Sequence, residues 1–90
     1  MAPVTAAAIE AALRARLDGI AALEIVNESH LHAGHAGAGE GTHWRVRVVA
    51  AGMAGLTRPA RHRLVYDALS ALMPLGIHAL AIDARSPDEV

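Results

Sequence analysis

Histidine is the residue type in this chain that offers the most chemistry, because a neutral imidazole is the commonest metal ligand in proteins. The 90 residues include six histidines and no cysteine. Two of the histidines, His62 and His78, lie in the segments RHRLVY and GIHAL. The other four fall in the single glycine-rich segment HLHAGHAGAGEGTH: His30, His32, His35 and His43. The pattern raises the question of a metal site shared between a loop and a later element.

Spacing alone does not establish such a site. An H-x-H-x-x-H pattern in a glycine-rich loop has no preset ligand geometry, so a set of solvated histidines that bind metal adventitiously is the simpler interpretation. His78 alternates with Leu80 and Ile82, which places it on their face of a strand and near the strand end. Spacing therefore favours a hydrogen-bonded histidine at the edge of the core for this residue.

The arginines form a second candidate constellation. Lysine is absent, and five arginines with no acidic residue fall between Glu40 and Asp67: Arg45, Arg47, Arg58, Arg61 and Arg63. Gathered on one surface, they would contact phosphates or an acidic partner. Ordinary solvated faces explain them equally well, and the formal net charge of −1 argues against a basic coat for nucleic acid.

Several classes of function are disfavoured. The chain has no G-x-S-x-G motif, no phosphate-binding loop and no cysteine nucleophile, so we expect no catalytic activity. No signal peptide and no apolar run long enough to span a bilayer are evident, so no membrane association is expected. A cysteine-free composition fits a reducing cytoplasm. The abundance of alanine and arginine is typical of a GC-rich bacterial genome.

Apolar periodicity predicts two helices and three strands in the order α-β-β-α-β, followed by a last helical turn with the capping-box pattern of Ser86 and Glu89. Thr5 and Thr57 are the expected N-caps of the helices. The first helix is predicted to end at about Asp18, and the apolar stripe of the second contains Leu64, Val65, Ala68, Leu69 and Leu72. The predicted strands cover residues 22–28, 44–50 and 77–84.

These elements predict one domain over residues 1–90, with flexible segments at residues 1–5 and 29–42. Two helices that cover one face of a three-stranded sheet make an α+β layer arrangement. The order of the strands in the sheet is not fixed by the sequence.

Four segments together resemble the BolA family: NESHLHA, THWRV, GLTRPARHRLVY and GIHALAIDARSPDE. The RHRLVY helix followed by the IHAL strand is the specific part of the match. The resemblance implies a fold similar to class II KH domains, with a mixed three-stranded sheet. Met53 stands where a phenylalanine is usual and Val90 where a tryptophan is frequent; both replacements are apolar and are expected to affect packing.

BolA-family members bind monothiol glutaredoxins with a CGFS site and share a 2Fe–2S cluster at the interface. The resemblance therefore implies that His78 is a cluster ligand. It also implies His32 as the second ligand, from a loop position where relatives carry His or Cys, with His35 in reserve. A glutaredoxin cysteine and a glutathione thiolate would complete the set, so no cluster is expected in the isolated chain, which we expect to be a monomer or a weak dimer.

Two other functions stay open. Some bacterial members of the family are linked to DNA binding and stress responses, so one alternative is a transcriptional regulator. Its nucleic-acid or partner surface would be formed by Arg58, Arg61, His62 and Arg63 on the second helix. The other alternative is a cluster-free module that docks on the glutaredoxin through its surface alone.

Overall fold

The computed structural model describes residues 4–28 and 43–90. The chain forms helix α1 (Ala6–Arg16), strands β1 (Ile20–Asn27) and β2 (His43–Ala50), helix α2 (Arg58–Ala68) and strand β3 (Ala79–Arg85). Short 3-10 turns lie at Ala51–Met53, Met73–Leu75 and Pro87–Glu89. The predicted α+β class, the element order and the last helical turn are confirmed.

The three strands form one mixed sheet in the order β1-β2-β3. β1 pairs with β2 in antiparallel orientation, and β2 pairs with β3 in parallel orientation. A parallel pair needs a crossover connection, and α2 lies within the one that joins β2 to β3. The central position of β2 is the part of the topology that the sequence left open.

The core lies between the helices and one face of the sheet. In β2 the side chains of Trp44, Val46 and Val48 are buried, whereas those of Arg45 and Arg47 on the alternate positions are exposed. On the helical side, the core contains Ile9 and Leu13 of α1, Val65 and Ala68 of α2, and Leu69, which directly follows α2. The helices therefore cover one face of the sheet, and the arginines of β2 lie on the open face.

Several predicted boundaries are wrong by two residues. α1 ends at Arg16, because Leu17 already has extended backbone and Gly19 turns the chain with a φ of 62°. β1 begins at Ile20 rather than at residue 22, because the register with β2 shifts between these two positions and pairing continues beyond the irregularity. β3 begins at Ala79 rather than at residue 77.

The predicted apolar stripe of α2 is wrong at Leu64, and its last member, Leu72, lies beyond the end of the helix. Leu69 is fully buried, but Leu64 is 37 % exposed. Val65, Ala68 and Leu69 are spaced by three and four residues and together define the buried side of the helix, and Leu64 lies about 100° away from Val65. Leu64 therefore lies at the margin of the stripe.

Val4, near the start of the chain, and the two residues that differ from the usual family residue, Met53 and Val90, differ in how deeply they are buried. Val4 is buried, and the Thr5 hydroxyl accepts a hydrogen bond from the backbone N–H of Ala8 at 3.1 Å, which confirms the predicted N-cap. Met53 is fully buried, so the expected effect on packing fits this position. Val90 is 83 % exposed, so it has no comparable part in the core. The segment 29–42, predicted to be flexible, lies outside the described residues.

Candidate functional site

His78 and His43 lie at the same end of the sheet. His43 is the first residue of β2 and pairs with Ala79, the first residue of β3. His78 directly precedes Ala79, and adjacent strands lie about 4.8 Å apart. The His78 side chain is exposed and makes no hydrogen bond with the described part of the chain, whereas His43 is half-buried. The predicted position of His78 near a strand end is therefore confirmed, but it precedes the strand and its side chain is not part of the core.

The histidine-rich segment joins the described structure at this same end. The backbone N–H of Glu28, the last described residue before the segment, donates to the carbonyl of His43 at 2.8 Å. His32 follows Glu28 by four residues in the sequence. His30, His32 and His35 themselves lie outside the described residues. Residues 4–28 and 43–90 contain no group of three or more His, Cys, Asp or Glu that could hold a metal ion.

Arg61 lies at the opposite end of β3 and is tied into the fold. Its Nε donates to the carbonyl of Leu56 at 3.0 Å and its Nη1 to the carbonyl of Ala84 at 3.1 Å. Its Nη1 and Nη2 both donate to the carboxylate of Glu89, with Nη2 3.0 Å from Oε2. The side chain of Arg61 is only 12 % exposed. Arg61 thus joins the first turns of α2 to the end of β3 and to the chain that follows.

Glu89 completes this junction, which we call the C-terminal clamp (Arg61, Ser86 and Glu89). The backbone N–H of Ser86 donates to Glu89 Oε1 at 2.8 Å, which is one half of the predicted capping box. The hydrogen bonds from Arg61 and then from Ser86 lower the pKa of Glu89 to about 2. The same contact raises the pKa of Arg61. The bridge is therefore fully ionised at neutral pH.

The five arginines between Glu40 and Asp67 do not form one surface. Arg45 Nε lies 2.9 Å from the carboxylate of Glu28, and Arg47 Nη1 lies 3.6 Å from that of Glu24; both pairs belong to the open face of the sheet. The other three arginines are on α2, in the helical layer that covers the opposite face, because strand alternation separates the two sets. The sequence could not show this separation, since it depends on which face the helices cover.

A groove of about 630 Å³ lies between α2 and β3. Its α2 side is lined by Arg58, Arg61 and His62, and the rest by Leu56, Ile82, Asp83, Ala84, Arg85 and Glu89. Arg58 and His62, two residues of the predicted nucleic-acid or partner surface, thus lie together in the groove. Arg63, which belongs to the same prediction, is exposed but does not line the groove. Sequence reasoning missed Asp83, Arg85 and Glu89, because the contact of Glu89 with Arg61 joins residues 28 apart.

In the described part of the chain, neither helix has the length and apolar character needed to cross a membrane.

Comparison with known proteins agrees with this geometry. The family described as BolA-like protein matches residues 13–89. The mouse protein named BolA-like protein 1 is 42 % identical over 80 residues, which are 88 % of this chain but 58 % of the mouse protein, so the chain spans little more than half of that relative. The solved structure of BolA1 from Arabidopsis thaliana covers 100 % of this chain and 99 % of its own, with a TM-score of 0.85 and 34 % identity. The BolA domain of SufE1 from the same plant covers 91 % of each chain, with a TM-score of 0.81 and 39 % identity. Since the family match extends over most of the sequence and the fold agrees throughout, the chain belongs to the BolA-like protein family.

Proposed function

We propose that this BolA-like protein binds a monothiol glutaredoxin and helps to hold or transfer a 2Fe–2S cluster. The observation that carries the proposal is the position of His78. Its imidazole is exposed at the end of the sheet where the histidine-rich segment begins and ends. The segment that contains His32 therefore leaves and rejoins the sheet at the end where His78 lies.

The donor set of the chain fits a shared cluster rather than a self-contained one. His78 and His32, with His35 in reserve, offer imidazole nitrogens, and the chain has no thiolate because it has no cysteine. Four ligands are needed for a 2Fe–2S cluster, and two histidines at one iron raise its reduction potential, as in Rieske centres. The remaining ligands must come from the partner and from glutathione. This division makes the glutaredoxin necessary for cluster binding.

The test is reconstitution of the complex with a CGFS glutaredoxin and glutathione, followed by visible absorption and circular dichroism. The isolated chain should hold no stable cluster. His78→Ala and His32→Ala should each change the spectrum of the complex, because a nitrogen ligand is lost from iron. His62→Ala is the matched control, since it removes an imidazole from the groove beside α2, at the other end of β3. An unchanged spectrum for His78→Ala would refute its role, and a change for His35→Ala but not His32→Ala would assign the second ligand to the reserve residue.

The cluster-free alternative predicts a different titration. If the chain docks through its surface alone, apo and cluster-loaded glutaredoxin should bind equally well, and His78→Ala should leave both affinities unchanged. The proposed function predicts tighter binding of the loaded form and loss of that difference in His78→Ala.

The DNA-binding alternative has less support, because the arginines are divided between two faces and Arg61 is engaged in the C-terminal clamp. Tight DNA binding with a steep dependence on salt concentration would restore that alternative.

A further inference from the structure

β3 is an edge strand with a groove along its open side. Within residues 4–28 and 43–90, the sheet order places β2 on one side of β3 and no strand on the other. Four successive residues of β3, from Ile82 to Arg85, line the groove. Successive side chains of a strand point to opposite faces, so a groove that touches all four runs along the edge of the strand and not over one face. α2 forms the opposite wall.

Part of the backbone on this edge, at Leu80 and Ile82, is available for pairing. Alternate residues of a strand direct their N–H and C=O groups to the same edge. The carbonyl of Ala84 accepts from Arg61 across the groove, so the edge that faces the groove also carries the amide groups of Leu80 and Ile82. Within the described residues, no backbone hydrogen bond from outside the sheet reaches these two residues. Unpaired amides on an edge strand form a template for another strand.

Among the described residues, most charged side chains of the groove are paired, and Arg58 is the exception. Arg61 is held by Glu89, and Arg85 Nε donates to Asp83 at 2.9 Å. Arg58 is exposed and forms no ion pair with the carboxylates that the structure describes. His62, one turn further along α2, lines the same wall. The groove therefore has an excess of positive charge at the α2 wall, beside the open backbone edge.

We propose that the open edge of β3 binds an extended acidic peptide segment of another protein, which pairs with β3 as a fourth strand and places a carboxylate against Arg58. Backbone pairing would supply affinity, and the carboxylate would select acidic sequences, as in other cases of strand addition to a sheet edge. The glutaredoxin proposal concerns His78, which lies outside the groove and two residues before Leu80, the first amide of the proposed pairing. The two proposals therefore use different residues of the chain.

A peptide fits this groove better than a nucleic acid. A nucleic-acid backbone would bring a phosphate charge at every nucleotide close to Asp83 and Glu89, which also line the groove. A peptide main chain instead offers alternating N–H and C=O groups to the edge amides, and only one side chain needs to be acidic. The apolar groups of Leu56 and Ile82 can contact its other side chains.

The probe is a pair of fluorescein-labelled hexapeptides of alternating valine and threonine, one ending in Glu-Glu with a free carboxyl group and one ending in Lys-Lys amide. Fluorescence polarisation with the full chain measures both affinities. We expect the acidic peptide to bind about tenfold tighter, which one charge-assisted hydrogen bond accounts for. In amide NMR spectra, the largest shifts should occur at Leu80 and Ile82.

Two substitutions separate the charge from the backbone. Arg58→Gln should abolish the preference for the acidic peptide. Arg63→Gln is the matched control, because it makes the same change on the same helix at an exposed residue that does not line the groove. Ala84→Pro removes one N–H from the open edge, a position where proline is tolerated in edge strands, and should weaken both peptides.

Equal affinities for the two peptides, or no binding of either at about 1 mM, would overturn the proposal. An equal loss from Arg58→Gln and Arg63→Gln, or amide shifts away from β3, would also overturn it. Displacement of the acidic peptide by a tighter-binding single-stranded DNA would assign the groove to nucleic acid instead. None of these results depends on the glutaredoxin or on His78, so the two proposals fail separately.

Discussion

The packing of α2 can be tested with a matched pair of leucines. Leu69 caps the C-terminal end of the helix, where its N–H donates to the carbonyl of Val65 at 3.0 Å, and its side chain is fully buried. Leu64 lies within the helix and is 37 % exposed. The sequence placed both on one apolar stripe, so replacing each by alanine measures the energetic effect of their difference in burial.

The two substitutions should differ by a factor of two or more in free energy. Leucine to alanine removes three carbons, worth about 2.4 kcal/mol at about 0.8 kcal/mol per buried CH₂ group. At Leu69 a cavity adds to this loss, so Leu69→Ala should cost about 3–5 kcal/mol. At Leu64 part of the side chain is already in water and solvent can fill the space, so Leu64→Ala should cost about 1–1.5 kcal/mol.

These costs are large for a small domain. At about 0.05–0.15 kcal/mol per residue, a chain of this length has a free energy of unfolding of about 5–13 kcal/mol. At about 4–8 °C per kcal/mol, Leu69→Ala should lower Tm by about 12–40 °C. Since α2 forms one wall of the groove, this variant should also weaken peptide binding at elevated temperature.

Urea unfolding followed by tryptophan fluorescence measures the difference. Trp44 is the one tryptophan of the chain and is 3 % exposed, so its emission should shift to longer wavelength as the core opens. The slope of the free energy of unfolding against urea concentration should be the same for both variants and for the parent protein. Equal losses for Leu64→Ala and Leu69→Ala, or a larger loss for Leu64→Ala, would refute the burial assigned to α2.

Three further comparisons test other parts of the structure. Gly19→Ala should cost about 2–4 kcal/mol in urea unfolding, because φ is 62° and the new Cβ would lie 2.8 Å from the Cβ of Ala51. Gly55→Ala should cost about 1–2 kcal/mol, because φ is 79° but no described residue other than its chain neighbours comes within 4 Å of the new Cβ. The hydrogen bonds of the C-terminal clamp hold the pKa of Glu89 at about 2, below its ordinary value of 4.5, so they stabilise the fold above pH 4.5 and lose effect as the pH falls towards 2. Glu89→Gln should therefore have a lower Tm than the parent at pH 7, and the difference should shrink between pH 4.5 and pH 2. Met53→Phe should lower the free energy of unfolding by about 1–3 kcal/mol, because the larger ring does not fit a fully buried position. Val90→Trp should change it by less than about 0.5 kcal/mol, because Val90 is exposed.

Local sequence patterns predicted the helices and strands more accurately than the contacts between them. Alternation from Trp44 to Val48 correctly gave the buried face of β2, and Thr5 and Thr57 correctly marked the starts of the helices. Leu64 was wrongly assigned to the buried stripe, because helical periodicity identifies the apolar side of a helix but not how much of that side the sheet covers. These signals depend on neighbours within one or two turns, which the sequence contains directly.

The contacts between distant segments were beyond sequence reasoning. Arg61 was expected on a partner surface, yet most of its side chain is covered and bonded to residues near the C-terminus. Nothing in RHRLVY distinguishes it from Arg58 or Arg63, since the distinction arises only when α2 lies beside β3. His78 was located near a strand end by alternation, but its proximity to His43 follows from the parallel pairing of β2 and β3.

The hydrogen bond between Glu28 and His43 has a consequence for how this protein can diversify. It joins the two ends of the connection, so residues added within the connection need not alter the strand register. Chain entropy opposes such insertions only weakly, at about 0.6 kcal/mol for each doubling of length. Natural variation or library design can therefore exchange histidine, cysteine and spacer residues at this point almost independently of stability. The fold would stay the same while the metal-binding and reactive side chains of the connection differ from one variant to the next.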